Sequence, residues 1–216
     1  AVWRSIFTSI SAFCNAGFDL MGEDGMEVFA GNWVVNITLI ALILLGSLGF
    51  IVWSDLENLL QRKRLSVYSK LVLIMTGILF IGGAVGFALM EWNNPDTIGQ
   101  APVGQKICMS LFHSATLRTA GFAMFDNGAM TEGASALSMV LMFIGGASGS
   151  TAGGVKVVTI FVLFGTVFSV AFGDTETVIF GRRISRDSFT RAVSVVVMQL
   201  LFALAGGGVL STVSDF

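Results

Sequence analysis

Four apolar runs along this chain are long enough to cross a bilayer, and two others fall short. Trp33–Trp53 carries no charge and has a Trp at each end, the placement that membrane interfaces favour. Leu71–Trp92 carries one charge, Glu91, near its end, and Ala192–Val213 is the last run. Ala134–Phe172 far exceeds the ~20 residues of an ordinary crossing. Its middle is not apolar: residues 143–160 read FIGGASGSTAGGVKVVTI, with five glycines, Ser148, Ser150, Thr151 and Lys156. The pattern predicts a broken helix. Trp3–Phe18 and Lys106–Phe122 are too short to span, which predicts re-entrant segments that end part-way through the membrane. The ten-residue segments of alternating polarity that mark a transmembrane β-barrel do not occur.

Composition agrees with this pattern. Hydrophobic residues make up 54% and charged residues 12%, against about 25% charged in a soluble domain. The class is an all-α polytopic membrane protein, multi-pass, in contact with membrane lipids. The net charge of -2 gives no reason to expect a nucleic-acid partner. Cys14 and Cys108 lie in apolar surroundings at no metal-ligand spacing and read as small packing residues. There is no initiator Met and no basic n-region of a signal peptide, and the first residues read as the inside of a helix. The expectation is a fragment.

Charge also sets orientation. The linkers Ser54–Lys70 and Gly173–Arg191 hold Arg62, Lys63, Arg64, Lys70, Arg182, Arg183, Arg186 and Arg191. The opposite loops hold Asp19, Glu23, Asp24, Glu27, Glu91, Asp96, Asp126 and Glu132, with no Lys or Arg. By the positive-inside rule the first set is cytoplasmic, and the four crossings then alternate. The acidic excess would concentrate cations at the outer mouth.

The two short pieces repeat each other. IFTSISAFCNAGFD (Ile6–Asp19) and LFHSATLRTAGF (Leu111–Phe122) share F-x-S and then A-G-F, with one residue more in the first. The repeating unit is helix, re-entrant helix, Ala-Gly-Phe loop, helix. Carbonyls of a loop at membrane depth cannot face lipid and must line a water-filled path, where they can replace the hydration shell of a cation. Glycine turns the backbone without a Cβ clash, so Gly17 and Gly121 belong there. Asn15, Ala16, Thr119 and Ala120 would supply further oxygens. A helix C-terminus aimed at the site adds partial negative charge.

AFCNAGFD, LRTAGF and GGASGSTAGGVK, in that order, resemble the potassium-translocating subunit of the Trk/Ktr/HKT superfamily, closest to the bacterial Ktr type. The resemblance covers nearly the whole chain. It implies four helix–pore loop–helix units around one central path in the cytoplasmic membrane. The selectivity filter would include Asn15, Ala16, Gly17 and Phe18 from the second unit and Thr119, Ala120, Gly121 and Phe122 from the third. About half the family chain is present: residues 1–62 as pore loop and second helix of one unit, 63–172 as a complete unit, and 173–216 as linker and first helix of the next. Two chains giving two loops each is the other geometry, which the incomplete units argue against. The resemblance further implies K+ as the transported ion, Na+ as a coupling or activating ion, a homodimer, and a cytosolic ring of nucleotide-binding regulatory subunits. No cofactor and no enzymatic activity are implied.

The Gly-rich stretch follows the third loop directly and is expected beneath it. Gly145, Gly146, Ala147, Ser148, Gly149, Ser150, Thr151, Ala152, Gly153 and Gly154 would form a mobile gate. Lys156 either snorkels to the cytoplasmic interface or places a positive charge beside the gate. Arg118 precedes the third loop and is expected to pair with an acid, as is Arg4. Two other classes compete. One is a non-transporting membrane scaffold. The other is an intramembrane serine protease, because Gly146–Gly149 fits G-x-S-G and His113 is available for Ser148. A phosphate loop is excluded, since Val155 separates Gly154 from Lys156.

Overall fold

A computed structural model describes residues 2–22, 25–62, 65–173, 178–179, 182–183 and 185–213. In chain order the elements are α1 (Val2–Phe13), α2 (Trp33–Ser47), α3 (Phe50–Arg62), α4 (Val67–Glu91), α5 (Val103–Thr116), α6 (Glu132–Phe143), α7 (Val157–Ala171), β1 (Val178–Ile179), β2 (Arg182–Arg183) and α8 (Arg186–Val213). Glu23, Asp24, Lys63 and Arg64, used above to orient the chain, lie outside the described residues, as do the side chains of Arg62, Arg182, Arg183 and Arg186.

The helices begin where the sequence supplies caps. Asn32 Oδ1 accepts from the N–H groups of Val34 and Val35 at the start of α2. Ser66 Oγ accepts from Ser69 N–H at the start of α4, and Thr131 Oγ1 from Ala134 N–H at the start of α6. Each satisfies an orphan donor of the first turn. The two re-entrant candidates are α1 and α5, of 12 and 14 residues. At ~1.5 Å per residue the 14 residues of α5 do not cross the ~30 Å hydrocarbon layer.

Packing divides the chain into residues 1–157 and 158–216. In the first unit α5 packs against α2 and α4, α1 against α2, and α6 against α4. The core gathers Ile40, Ile43, Phe87, Phe112, Ala115 and Phe125. Lipid is as apolar as such a core, so close packing and interhelical hydrogen bonds decide how membrane helices associate. Ser114 Oγ donates to the Phe80 carbonyl of α4 at 2.7 Å. Asn36, fully buried on α2, donates to the carbonyls of Phe29 and Ala30.

Trp33–Trp53 is not one straight crossing. Its helix breaks after Ser47, and α3 leaves at 97° to α2. Gly49 has φ +80°, and a Cβ there would stand 2.7 Å from the Ser148 carbonyl oxygen. The bend therefore exists against the Gly-rich stretch, which a sequence run cannot show. Glu91 also differs from expectation. It is fully buried, not at an open mouth. Oε1 accepts from Thr131 N–H and Oγ1 at 2.8 and 2.6 Å, and Oε2 from Asn94 Nδ2 and Thr97 Oγ1 at 2.7 Å each. This carboxylate joins the end of α4 to the start of α6.

In the second unit α7 continues to Ala171, β1 pairs antiparallel with β2 (Val178 with Arg183, Ile179 with Arg182), and α8 follows. Among the described residues two helices are long and apolar enough to cross a membrane, Val67–Glu91 and Asp187–Thr212. The bent pair Trp33–Ser47 and Phe50–Leu59 would make a third only if counted as one broken span. The run Ala134–Phe172 is broken as its glycines predicted: α6 ends at Phe143 and α7 starts at Val157.

Candidate functional site

The two Ala-Gly-Phe loops have one backbone pattern. Among the described residues the non-glycine positions with positive φ are Asn15 (+51°) and Thr119 (+74°). These are equivalent positions of the repeat. Two residues on, Gly17 and Gly121 have φ of +74° and +89°. Positive-φ residues thus alternate with negative-φ ones in both loops. Two N–H groups of each loop are used in closing the preceding helix: Asn15 N–H donates to Ala12, Ala16 to Ser11, and Ala120 and Gly121 both to Thr116. Among the described residues no donor reaches the carbonyls of Asn15, Ala16, Gly17, Thr119, Ala120 or Gly121. The loops are therefore sources of acceptor oxygens. They also adjoin: a Cβ on Gly17 would lie 2.3 Å from the Ala120 carbonyl oxygen and 3.0 Å from Gly121 Cα. Ala16, Phe18 and Gly121 are exposed, whereas Asn15, Ala120 and Phe122 are buried.

The Gly-rich stretch is a pinched loop. Its base is closed by Gly145 N–H to Val155 O (3.0 Å), Val155 N–H to Phe143 O (2.9 Å) and Val157 N–H to Gly146 O (3.1 Å). Its tip is held by three elements. Ala147 N–H donates to Ser47 O and Phe50 N–H donates to Gly149 O, both at the α2–α3 bend. Tyr68 Oη, on α4, donates to the Ser148 carbonyl at 3.2 Å. The returning strand of the loop meets both Ala-Gly-Phe loops. Asn15 Nδ2 donates to Thr151 Oγ1 at 2.7 Å, and Gly153 N–H donates to Thr119 Oγ1 at 3.0 Å. Gly145, Gly146, Ala147 and Ala152 are buried, Ser148, Ser150 and Gly154 half-buried, and Gly149, Thr151 and Gly153 exposed.

Three charged residues and the histidine find particular places. Arg118 is 1% exposed and pairs with no acid among the described residues. It donates instead to the carbonyls of Thr76 and Gly145 at 3.4 Å each. The acceptors within its reach are a mid-helix carbonyl of α4 and a carbonyl of the Gly-rich loop. Arg4 is exposed on α1. Lys156 Nζ donates to Ala152 O at 2.8 Å, so its charge tethers the end of the loop it follows. His113 Nε2 sits 3.2 Å from Ser138 Oγ, with the ring against Phe87 and Phe125, and so contacts a serine other than Ser148.

The family profile described as "TrkH: Cation transport protein" matches residues 1–215. This chain belongs to that family. Potassium/sodium uptake protein NtpJ of Enterococcus hirae is 37% identical over 210 residues, covering 97% of this chain and 46% of that protein. Ktr system potassium uptake protein B of Bacillus subtilis is 36% identical over 205 residues, covering 95% and 46%. The crystal structure of the potassium transporter TrkH from Vibrio parahaemolyticus superposes with a TM-score of 0.76 at 20% identity, over 100% of this chain and 47% of that one. The chain thus spans about half the length of the relatives it matches. The TrkH family consists of multi-pass membrane ion transporters, not enzymes, which removes the protease reading. In this TrkH-family chain the Gly-rich loop after α6, the paired loops and the start of α3 form one hydrogen-bonded cluster within residues 1–157.

Sequence reasoning missed Tyr68, Ser47 and the bend at Gly49 as partners of the Gly-rich loop. A tyrosine just after a basic linker was the one available signal for Tyr68. The other two carry no local mark.

Proposed function

We propose that this chain provides part of the path for potassium uptake across the cytoplasmic membrane. Asn15–Phe18 and Thr119–Phe122 are two segments of a carbonyl-lined selectivity filter, and Gly145–Gly154 with Lys156 is the gate beneath it. The observation that carries the reading is the state of the loop backbones: the N–H groups of Asn15, Ala16, Ala120 and Gly121 spent on the pore helices and the loop carbonyls unclaimed, in two adjoining loops. A cluster of unclaimed carbonyl oxygens, with four of the loop N–H groups turned back onto the preceding helices, suits a cation better than an anion. The C-termini of α1 and α5 add partial negative charge to it. Potassium and sodium uptake by the named relatives supports K+ as the ion, with Na+ as a coupling or activating ion.

The repeat supports the division into units at residues 62 and 172, with further units completing the ring of loops. The Ktr system names support a cytosolic regulatory subunit as partner. Its nucleotide-binding ring would dock on the basic linkers, and the transporter would act as a homodimer. No reaction is catalysed. Ion flux into liposomes carrying the full-length gene product tests the filter. Gly121→Ser adds a hydroxyl and a Cβ at φ +89°, and the K+ over Na+ permeability ratio is expected to fall. An unchanged ratio contradicts the filter assignment.

A further inference from the structure

The gate and the filter are joined through side chains, at the two positions where the filter backbone is strained. Asn15 and Thr119 both adopt positive φ. Asparagine tolerates that region, but for β-branched threonine it is an outlier that persists only where the surroundings over-determine it. Both side chains are held by the returning strand of the Gly-rich loop, one through Thr151 Oγ1 and the other through Gly153 N–H. Thr151 does more than accept from Asn15. Its single hydroxyl proton has the Phe13 carbonyl, at the end of α1, 3.0 Å away and the Gly46 carbonyl, on α2, 3.1 Å away. One hydroxyl therefore links pore helix, filter side chain and the helix that bends under the loop. Asn15 Oδ1 is buried with no partner among the described residues, so Thr151 is its carboxamide's hydrogen-bond anchor.

We infer that Thr151 is a positioning residue for ion selectivity: the closed loop holds Asn15 and Thr119 in their left-handed conformation, and moving the loop loosens the filter. This rests on the filter and gate reading above. Selectivity then depends on the state of the gate, and a loop residue that lines no filter controls which ion passes.

The test uses the full-length gene product in liposomes, with total flux and the K+ over Na+ permeability ratio read together. T151V keeps the shape and removes the hydroxyl. It is expected to lower the ratio about fivefold, the effect of one hydrogen bond on an equilibrium. T151S keeps the hydroxyl and is expected to restore the ratio. Adding Asn15→Ala to T151V should lower it little further, because the pair acts as one unit. If T151V is not inserted in the membrane, Thr119→Val removes the other tie, with Thr119→Ser as its rescue. A ratio that moves with G121S but not with T151V overturns this inference and leaves the filter standing. Equal loss in T151V and T151S also overturns it, since a general packing defect then suffices. A ratio moved by neither G121S nor T151V overturns the filter reading itself.

Discussion

Gly17 and Gly121 occupy equivalent positions but are not equally constrained. Both have positive φ, which costs an L-residue roughly 1–2 kcal/mol. A Cβ on Gly17 would also strike the Ala120 carbonyl at 2.3 Å, whereas one on Gly121 would meet nothing closer than Gly17 Cα at 3.5 Å. Gly17→Ala is therefore expected to destabilise the detergent-solubilised protein by clearly more than Gly121→Ala, as read by thermal unfolding. Equal shifts would mean that the two loops do not approach each other as described. The glycines themselves were legible in the sequence from the repeated A-G-F. The asymmetry was not, because it arises from which loop's carbonyl faces which Cα. The acid expected for Arg118 was wrong for a similar reason: sequence shows charges, and which backbone carbonyls the fold brings to the guanidinium, here those of Thr76 and Gly145, is invisible in it.

Short helices were readable from length alone. Lys106–Phe122 is too short to span, and α5 is correspondingly 14 residues long. The break in Ala134–Phe172 was readable from its glycines. The bend between α2 and α3 was not, because nothing within Trp33–Trp53 differs from an ordinary crossing. It depends on Gly49 meeting Ser148 and on Phe50 N–H donating to Gly149, contacts made far along the chain. The joint between α4 and α6 is likewise tertiary. Glu91 satisfies four donors there, and hydrogen bonds to a charged group contribute about 1.5–3 kcal/mol each. Glu91→Gln replaces one acceptor oxygen by a donor. It is expected to lower the unfolding temperature and to expose the start of α6 to hydrogen exchange. Unchanged protection at residues 131–135 would show that the carboxylate does not hold the joint.

Under the proposed function, the Gly-rich loop would be a closed gate in a permeation path, bonded to several of the elements around it. The Gly-rich loop touches both filter loops, the α2–α3 bend, Tyr68 of α4 and Arg118. If this loop is the gate, its release would be expected from the side of the basic linker Ser54–Lys70, which contains Tyr68. Its role as a barrier is the central claim. The direct measurement is potassium or rubidium flux into liposomes containing the full-length gene product with residues 148–152 deleted, compared with wild type in the presence and absence of the cytosolic regulatory subunit. The account predicts a higher flux that no longer depends on that subunit. Flux of wild-type size, still fully regulated, would contradict it and reduce the loop to a packing kink.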